Sequence, residues 1–328
     1  MATKVAVIGA GSWGTTIGAL ISRRAPTVLW ARRDEIAKQI QYEHRNPRYL
    51  ADRVLPDQLM ATSSLEEALS GATMIVWAIP SSWFRMVAVE AAPFTEMHVV
   101  HVSLTKGLEA GSRKRMSEVI AELYPHDEVS VVGGPSFARE ILDGQPCTNV
   151  VACRDRETAL LVRQMLETEY LHIETVDDVV GLEIASAGKN VIALAAGMAD
   201  GCGFGANTRA TILLKGLDEL ERVGVALGGM RSTFLGVGGL GDLVATCTTP
   251  DSRNYSAGFQ LSTNLFSERS SSGEVGDMKV PAEGVVSARP LLELAIAALV
   301  EARIVSQVVA VLGGELKPSD AIRVITGG

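Results

Sequence analysis

The sequence predicts a doubly wound α/β sheet in its N-terminal part, followed by an all-α C-terminal domain. Three observations carry this reading. Up to about residue 180, short apolar runs alternate with helical patterns, as strands joined by crossover helices do. Several of these runs are continuously apolar, which suits strands covered on both faces. Beyond residue 180 the strand signal fades and helical periodicity takes over. The chain is therefore divided into residues 1–180 and 181–328.

The elements follow in order. VAVIG (5–9), TVLWA (27–31), ATMIVWAI (72–79), HVVHVSL (98–104) and VSVVGG (129–134) read as buried strands. NVVACRD (149–155) and LHIETV (171–176) extend the sheet, with antiparallel pairing as an option. Helical patterns cover 12–24, 64–70, 83–92 and 112–123 between them. In the second part they cover 179–199, 208–227, 240–247, 284–299, 301–312 and 318–324. The serine-rich stretch STNLFSERSSSGEVGD (262–277) reads as a loop or weak helix. No tandem repeat of fixed period is evident.

Composition narrows the function classes. Of the 328 residues, 47% are apolar and 21% charged, the balance of a globular core rather than a disordered chain. The net charge of −8 argues against nucleic acid or an anionic membrane as the main partner, since both attract a basic surface. It leaves room for a small anionic ligand in a locally positive pocket. Cys147, Cys153, Cys202 and Cys247 form no C-x-x-C pair, so neither a disulfide framework nor a metal site is expected, and a reducing cytoplasm fits. MATKVAVIG shows no export-leader pattern, and no uncharged apolar stretch reaches the ~20 residues of a membrane span.

The clearest motif is GAGSWG (9–14), a G-x-G-x-x-G between the strand KVAVI and a helix. Gly9 permits a tight turn, Gly11 clears space for a pyrophosphate, and Gly14 lets helix and strand pack closely. The helix N-terminus, with Ser12 as an expected cap, offers N–H groups to the phosphates. This context favours a dinucleotide over a purely structural turn. After the second strand, an NAD-selective site would place an acidic residue for the ribose 2′-hydroxyl. Here Ala31, Arg32 and Arg33 precede Asp34. Two guanidiniums can clamp a 2′-phosphate, which favours NADP(H). The same pair also reads as solvated surface, and Asp34 keeps NAD(H) possible.

Nicotinamide chemistry needs a proton donor at the substrate oxygen, a polarising group and a grip on the rest of the substrate. Four patches offer candidates. SLTKGLE places Lys106 beyond a strand's carboxyl end, where open α/β sheets bind ligands. GGPSFARE brings Gly134 and Ser136. The segment EIASAGKNVIALAAGMADGCG (183–203) carries Lys189 and Asn190 among small residues, with Ala185, Ser186, Ala193 and Ala196 on the lysine's helical face. LGDLVATCTTPDSRN (240–254) carries Asp242, Thr246, Ser252, Arg253 and Asn254, with Asp242 and Thr246 on one face at i,i+4. Singly, Lys106 and Arg253 read as solvated charges and Asp242 as a helix cap. Their shared placement after strands or glycine-rich turns points to a site.

GAGSWGTTIG, SLTKGLE, GGPSFARE, GKNVIALAAGMADGCGFGANTRA, GLGDLVATCT and SRN together resemble the NAD(P)-dependent glycerol-3-phosphate dehydrogenases, in particular the bacterial type. The resemblance implies a Rossmann domain over 1–180 and a helical substrate and dimerisation domain over 181–328. It implies reversible reduction of dihydroxyacetone phosphate to sn-glycerol 3-phosphate by a cytoplasmic homodimer feeding glycerophospholipid synthesis. By the family pattern Lys189 is the acid/base, with Lys106, Asp242 and Thr246 in the catalytic group. Lys106, Gly134, Ser136, Lys189, Asn190, Asp242, Ser252, Arg253 and Asn254 would meet the phosphorylated substrate. Ser12, Trp13, Arg33, Lys106, Ala138, Arg253 and Glu283 would meet the cofactor, beside the three glycines and Arg32. Gly188 stands where the family often carries Val or another bulkier residue, which would loosen the helix beside Lys189, and Pro281 departs from the family's V-V-E-G or V-A-E-G. Two other functions fit the architecture: a hydroxyacid or ketopantoate-type reductase, and a catalytically silent dinucleotide sensor.

Overall fold

The structure, a computed structural model, describes residues 3–263 and 282–327. Most of the serine-rich stretch, from residue 264, and Pro281 lie outside the described residues. The chain forms two compact units: Met1–Thr105 with Met116–Val179, and Lys106–Arg115 with Val180–Gly328. The division is thus not one cut in sequence, because the segment Lys106–Arg115, just after the strand Val100–Ser103, groups with the helical unit.

The first unit holds ten strands: β1 (Val5–Ile8), β2 (Thr27–Trp30), β3 (Arg45–Asn46), β4 (Ala51–Val54), β5 (Leu59–Thr62), β6 (Met74–Trp77), β7 (Val100–Ser103), β8 (Glu128–Gly133), β9 (Cys147–Ala152) and β10 (Leu171–Val176). Eight of them make one sheet in the order β10-β9-β8-β7-β6-β1-β2-β5, while β3 and β4 pair separately. From β1 the chain runs outward through β2 to β5, then returns to β6 on the other side of β1. The end of β1 is therefore the switch point at which such sheets bind ligands. Ile8 pairs with Trp30 of β2 and with Trp77 of β6, so the turn after β1 is flanked by the ends of both neighbours.

Alternation along the strands builds two cores. Val5, Val7, Leu29, Met74 and Val76 face one layer, with Ile17, Leu20 and Ile21 of the helix Ser12–Ile21 and Val162 and Leu166 of the helix Arg156–Leu166. Ala6, Ile8, Trp30, Ile75 and Trp77 face the other, with Phe84, Val87 and Ala88 of the helix Ser81–Ala91 and Met116, Val119 and Ile120 of the helix Met116–Leu123. A period of two on strands buried on both faces gives this division directly. Two details differ from the expectation. The edge strand LMAT was not distinguished in sequence, being short and only partly buried. Of the two last strands, β9 runs antiparallel to β8, but β10 is parallel to β9.

In the second unit the helix Val179–Gly201 lies in a core that also holds Ile212, Leu220, Phe234, Leu291, Ile304 and Ile322. It is long and apolar enough to cross a membrane, but 89% of its most apolar window is buried against its own unit. Around it stand Ala206–Ala226, Arg231–Leu235, Asp242–Cys247, Arg253–Ser262, Glu283–Ala297, Arg303–Leu312 and Pro318–Thr326, with a π-helical turn at Val237–Gly241. Its small residues set a close crossing. A Cβ on Gly197 would lie 2.0 Å from the Tyr255 carbonyl oxygen, and one on Gly258 2.1 Å from that of Leu194. Backbones can approach this closely only where side chains are absent. Gly188 similarly makes room for a neighbour: its Cβ would sit 2.2 Å from Leu220 Cδ2. The space beside Lys189 that a larger residue would occupy is therefore filled by Leu220, rather than left loose.

Candidate active site

The glycine turn is built as its spacing requires. Gly9 has φ +116°, and a Cβ there would lie 2.5 Å from the Ala78 carbonyl oxygen. At Gly14 a Cβ would meet the Gly9 carbonyl oxygen at 2.0 Å, whereas at Gly11 it would meet nothing within 4 Å. Gly9 and Gly14 thus pull helix and strands together, while the open side at Gly11 admits a ligand. The helix begins at Ser12, and Gly11 rather than Ser12 occupies the cap position with extended backbone. No side chain caps this end, which leaves the first N–H groups to an anion. The Trp13 indole N–H is buried without a protein partner. Ala138, first residue of Ala138–Leu142, accepts from Thr16 Oγ1 at 3.4 Å, so it packs on the same helix.

At the end of β2, Arg32 and Arg33 are exposed, and neither side chain makes an ion pair or hydrogen bond among the described residues. Arg33 is the cap residue of Asp34–Glu43. Asp34 is engaged elsewhere. Its carboxylate pairs with Lys38 at 2.7 Å and accepts from Ser63 Oγ at 3.1 Å. Those two hydrogen bonds hold it below the usual carboxylate pKa range. After β8, Gly134 adopts φ +102°, and Ser136 Oγ donates to its carbonyl at 2.5 Å.

The second unit gathers the other candidates. The long helix presents Lys189, and the helix Asp242–Cys247 presents Asp242 and Thr246 one turn apart. Lys189 Nζ donates to Asp242 Oδ1 at 2.8 Å and to Thr246 Oγ1 at 2.6 Å. Thr246 in turn donates to Asp242 Oδ1 at 3.3 Å. Lys106 Nζ, from the segment Lys106–Arg115, donates to Asp242 Oδ2 at 2.8 Å. One carboxylate, 1% exposed, therefore joins two ammoniums. An ammonium has three N–H bonds, and the third on Lys189 has no partner among the described residues.

Electrostatics follow from this packing. Burial would raise the Asp242 pKa, but the two lysines outweigh it and hold the carboxyl below its ordinary value. Burial, against the pull of Asp242 and with the repulsion of Lys189, lowers Lys106 to about 8. The adjacent Cys247 thiol is pushed up to about 12 by burial, so no thiolate competes as a nucleophile.

A chain of amides supports the cluster. The Gly284 N–H donates to Asn254 Oδ1 at 2.8 Å, Asn254 Nδ2 to Asn190 Oδ1 at 2.9 Å, and Asn190 Nδ2 to the Lys106 carbonyl at 2.9 Å. Asn190 also donates to the Ser186 carbonyl at 3.3 Å, so both its N–H bonds are committed. The chain ties the end of the helix Glu283–Ala297, where Glu283 is the first residue, to the backbone of Lys106. Ser252 caps the helix Arg253–Ser262 by accepting from the Tyr255 N–H at 3.3 Å. Arg253 stands exposed in that helix's first turn.

Sequence reasoning missed several supports. Ser287 Oγ accepts from the Leu108 N–H at 3.1 Å, and Arg115 pairs with the buried Glu183 at 3.0 Å, so both ends of the Lys106 segment are anchored in the helical unit. The charged residues Glu183 and Arg115 were visible signals, but their pairing across 68 positions was not.

The comparisons agree along the whole chain. A family model described as the N-terminus of NAD-dependent glycerol-3-phosphate dehydrogenase matches residues 4–159, and the corresponding C-terminal model matches 178–323. The glycerol-3-phosphate dehydrogenase [NAD(P)+] of Corynebacterium urealyticum is 42% identical over 99% of this chain and 98% of its own length. That of a Parafrankia species is 45% identical over 98% and 96%. The crystal structure of the Coxiella burnetii glycerol-3-phosphate dehydrogenase superposes with a TM-score of 0.92 at 29% identity, covering 100% of this chain and 99% of that one.

Proposed function

Because the chain belongs to the NAD-dependent glycerol-3-phosphate dehydrogenase family, we propose that it catalyses the reversible reduction of dihydroxyacetone phosphate to sn-glycerol 3-phosphate with Lys189 as acid/base. The observation that carries this is the Lys189 ammonium, aimed by Asp242 and Thr246 and left with one unpartnered N–H. A reduced nicotinamide, when bound, would supply the hydride for the carbonyl carbon.

Negative charge then develops on the carbonyl oxygen. The free N–H of Lys189 stabilises that oxygen and passes it a proton, leaving a neutral amine to be reprotonated. Asp242 fixes the direction of Lys189 and keeps Lys106 charged beside it. Asn190 acts by holding the Lys106 backbone, since its own N–H bonds are committed. Arg253, with the unused N–H of Asn254 and with Ser252, would grip the phosphate, where a guanidinium makes paired hydrogen bonds. Binding energy at this non-reacting group positions the carbonyl.

The open helix end after Gly11 suits a pyrophosphate, and Trp13 and Ala138, in the same unit, would meet the nucleotide beside it. NADP(H) is the preferred cofactor. Supporting this, Arg32 and Arg33 carry no competing carboxylate, while Asp34 is occupied by Lys38 and Ser63. In this reading the enzyme works in the cytoplasm as a homodimer and provides the glycerol backbone of phospholipids.

The test is NADPH and NADH oxidation with and without dihydroxyacetone phosphate, for the wild type and Lys189→Ala. Phosphate-dependent turnover is expected, with kcat about 10²–10⁴-fold lower in the variant and cofactor affinity retained. Absence of turnover in folded wild-type protein, or full activity of the variant, refutes the assignment.

A further inference from the structure

Trp83 has no role in the core it adjoins. The helix Ser81–Ala91 buries Phe84, Val87, Ala88 and Ala91 against the sheet, whereas Trp83 is 44% exposed. An indole in the open is an expensive use of surface unless something covers it. Here the Arg32 guanidinium carbon lies 5.7 Å from the centre of its ring, within cation–π range.

The two residues stand on either side of the glycine turn, Arg32 in the loop after β2 and Trp83 in the first turn of the helix Ser81–Ala91. Arg32 follows β2, and Trp83 follows β6, the two strands that flank β1. Both flanking loops are tied to the β1 end: the Gly9 N–H donates to the Trp30 carbonyl at 3.1 Å, and the Ala78 N–H to the Ile8 carbonyl at 2.8 Å. The contact between Arg32 and Trp83 therefore joins the loop after β2 to the first helical turn after β6, on the two borders of the nucleotide turn. It is also the one contact recorded for the Arg32 side chain among the described residues, so its N–H donors keep no protein acceptor. Arg33 has no such ring beneath it.

We infer that Trp83 is a positioning residue for cofactor selection, holding the Arg32 guanidinium ready for the 2′-phosphate of NADP(H). The inference rests on the reading of Arg32 as a 2′-phosphate contact. A long arginine at an exposed strand end otherwise loses its rotamer freedom when it binds the phosphate. The indole removes part of that loss beforehand without using any of the hydrogen-bond donors, as a carboxylate partner would. An adenine-stacking role for Trp83 would instead help both nicotinamide cofactors equally.

The experiment compares kcat/KM for NADPH and NADH in the wild type, Trp83→Leu, Trp83→Phe, Arg32→Ala and the Arg32→Ala/Trp83→Leu double variant. Trp83→Leu is expected to reduce the NADPH-to-NADH ratio about two- to five-fold, the worth of one exposed cation–π contact. Trp83→Phe should keep most of the ratio, and Trp83→Leu should change nothing further once Arg32 is gone. A drop in the ratio for Arg32→Ala but none for Trp83→Leu overturns the role of Trp83 and leaves the Arg32 reading standing. Equal losses with both cofactors in Trp83→Leu also overturn it. An unchanged ratio in Arg32→Ala rejects the underlying 2′-phosphate reading itself.

Discussion

Asp242→Asn exchanges the carboxylate between Lys106 and Lys189 for a neutral amide of the same shape. In the native cluster Lys106 titrates at about 8, so at pH 7 roughly nine in ten molecules carry its charge. Its contact with Asp242, at 2.8 Å, opposes the effects of burial and of Lys189. An opposite charge in contact is worth about 1–3 pKa units. Without it Lys106 should titrate somewhere between about 5 and 7, and its charged fraction at pH 7 should fall to between about a half and one in a hundred. The alkaline limb of the pH–rate profile should move by the same interval.

The assay is kcat/KM for dihydroxyacetone phosphate from pH 5 to 10, with thermal unfolding as a check that the variant is folded. The apparent pKa belongs to the coupled pair of Lys106 and Asp242. If turnover is too low to fit, NMR titration of isotopically labelled lysine side chains reads the same shift. A folded Asp242→Asn protein whose alkaline limb stays at the wild-type position would refute the argument that Asp242 keeps a proton on Lys106.

Two further predictions concern packing and acid stability. Gly188→Val would drive a side chain into Leu220, where even a Cβ would come within 2.2 Å, and should destabilise by about 1–3 kcal/mol in chemical unfolding. Adding Leu220→Ala should recover part of that loss; no recovery would mean that Leu220 is not what occupies the space. His101 is buried, with Nδ1 accepting from the Trp77 indole N–H at 3.0 Å and Nε2 on Asp127 at 2.9 Å. Burial lowers its pKa despite the pull of Asp127, so below about pH 6.5 the unfolded chain takes up a proton that the folded chain resists. Stability from this group is thus present above that pH and lost on acidification. The urea midpoint should fall less between pH 7 and 5.5 in His101→Asn than in the wild type, and equal falls would show that His101 contributes nothing.

What the sequence revealed about the fold depended on local periodicity. The strands β1, β2, β6, β7 and β8 are dense, doubly buried apolar runs and could be found by pattern. LMAT could not, because an edge strand half open to solvent has no continuous apolar signature. The end of Lys106–Arg115 could not be assigned to the helical unit either. Its membership depends on the Leu108–Ser287 hydrogen bond and the Arg115–Glu183 ion pair, which join positions far apart in sequence. Asp34 is the opposite case. Its pairing with Lys38 is an i,i+4 contact that a helical reading of DEIAKQIQYE contains, and it bears on the cofactor question that Arg32 and Arg33 alone left open.

For the candidate site, sequence supplied residue types but could not supply their charge balance. Read along the chain, Lys106, Lys189 and Asp242 are three separate charges, each compatible with a solvated surface. Brought together, two ammoniums share one buried carboxylate in a region where Lys189 is 7% and Asp242 1% exposed. A desolvated carboxylate is costly unless charged donors satisfy it, and here Lys106 takes one of its oxygens and Lys189 the other. Asp242 and Thr246 together then fix the direction of the Lys189 ammonium before any substrate arrives. An oxygen gaining negative charge beside it would meet a donor that needs no reorientation, which favours the transition state over the ground state.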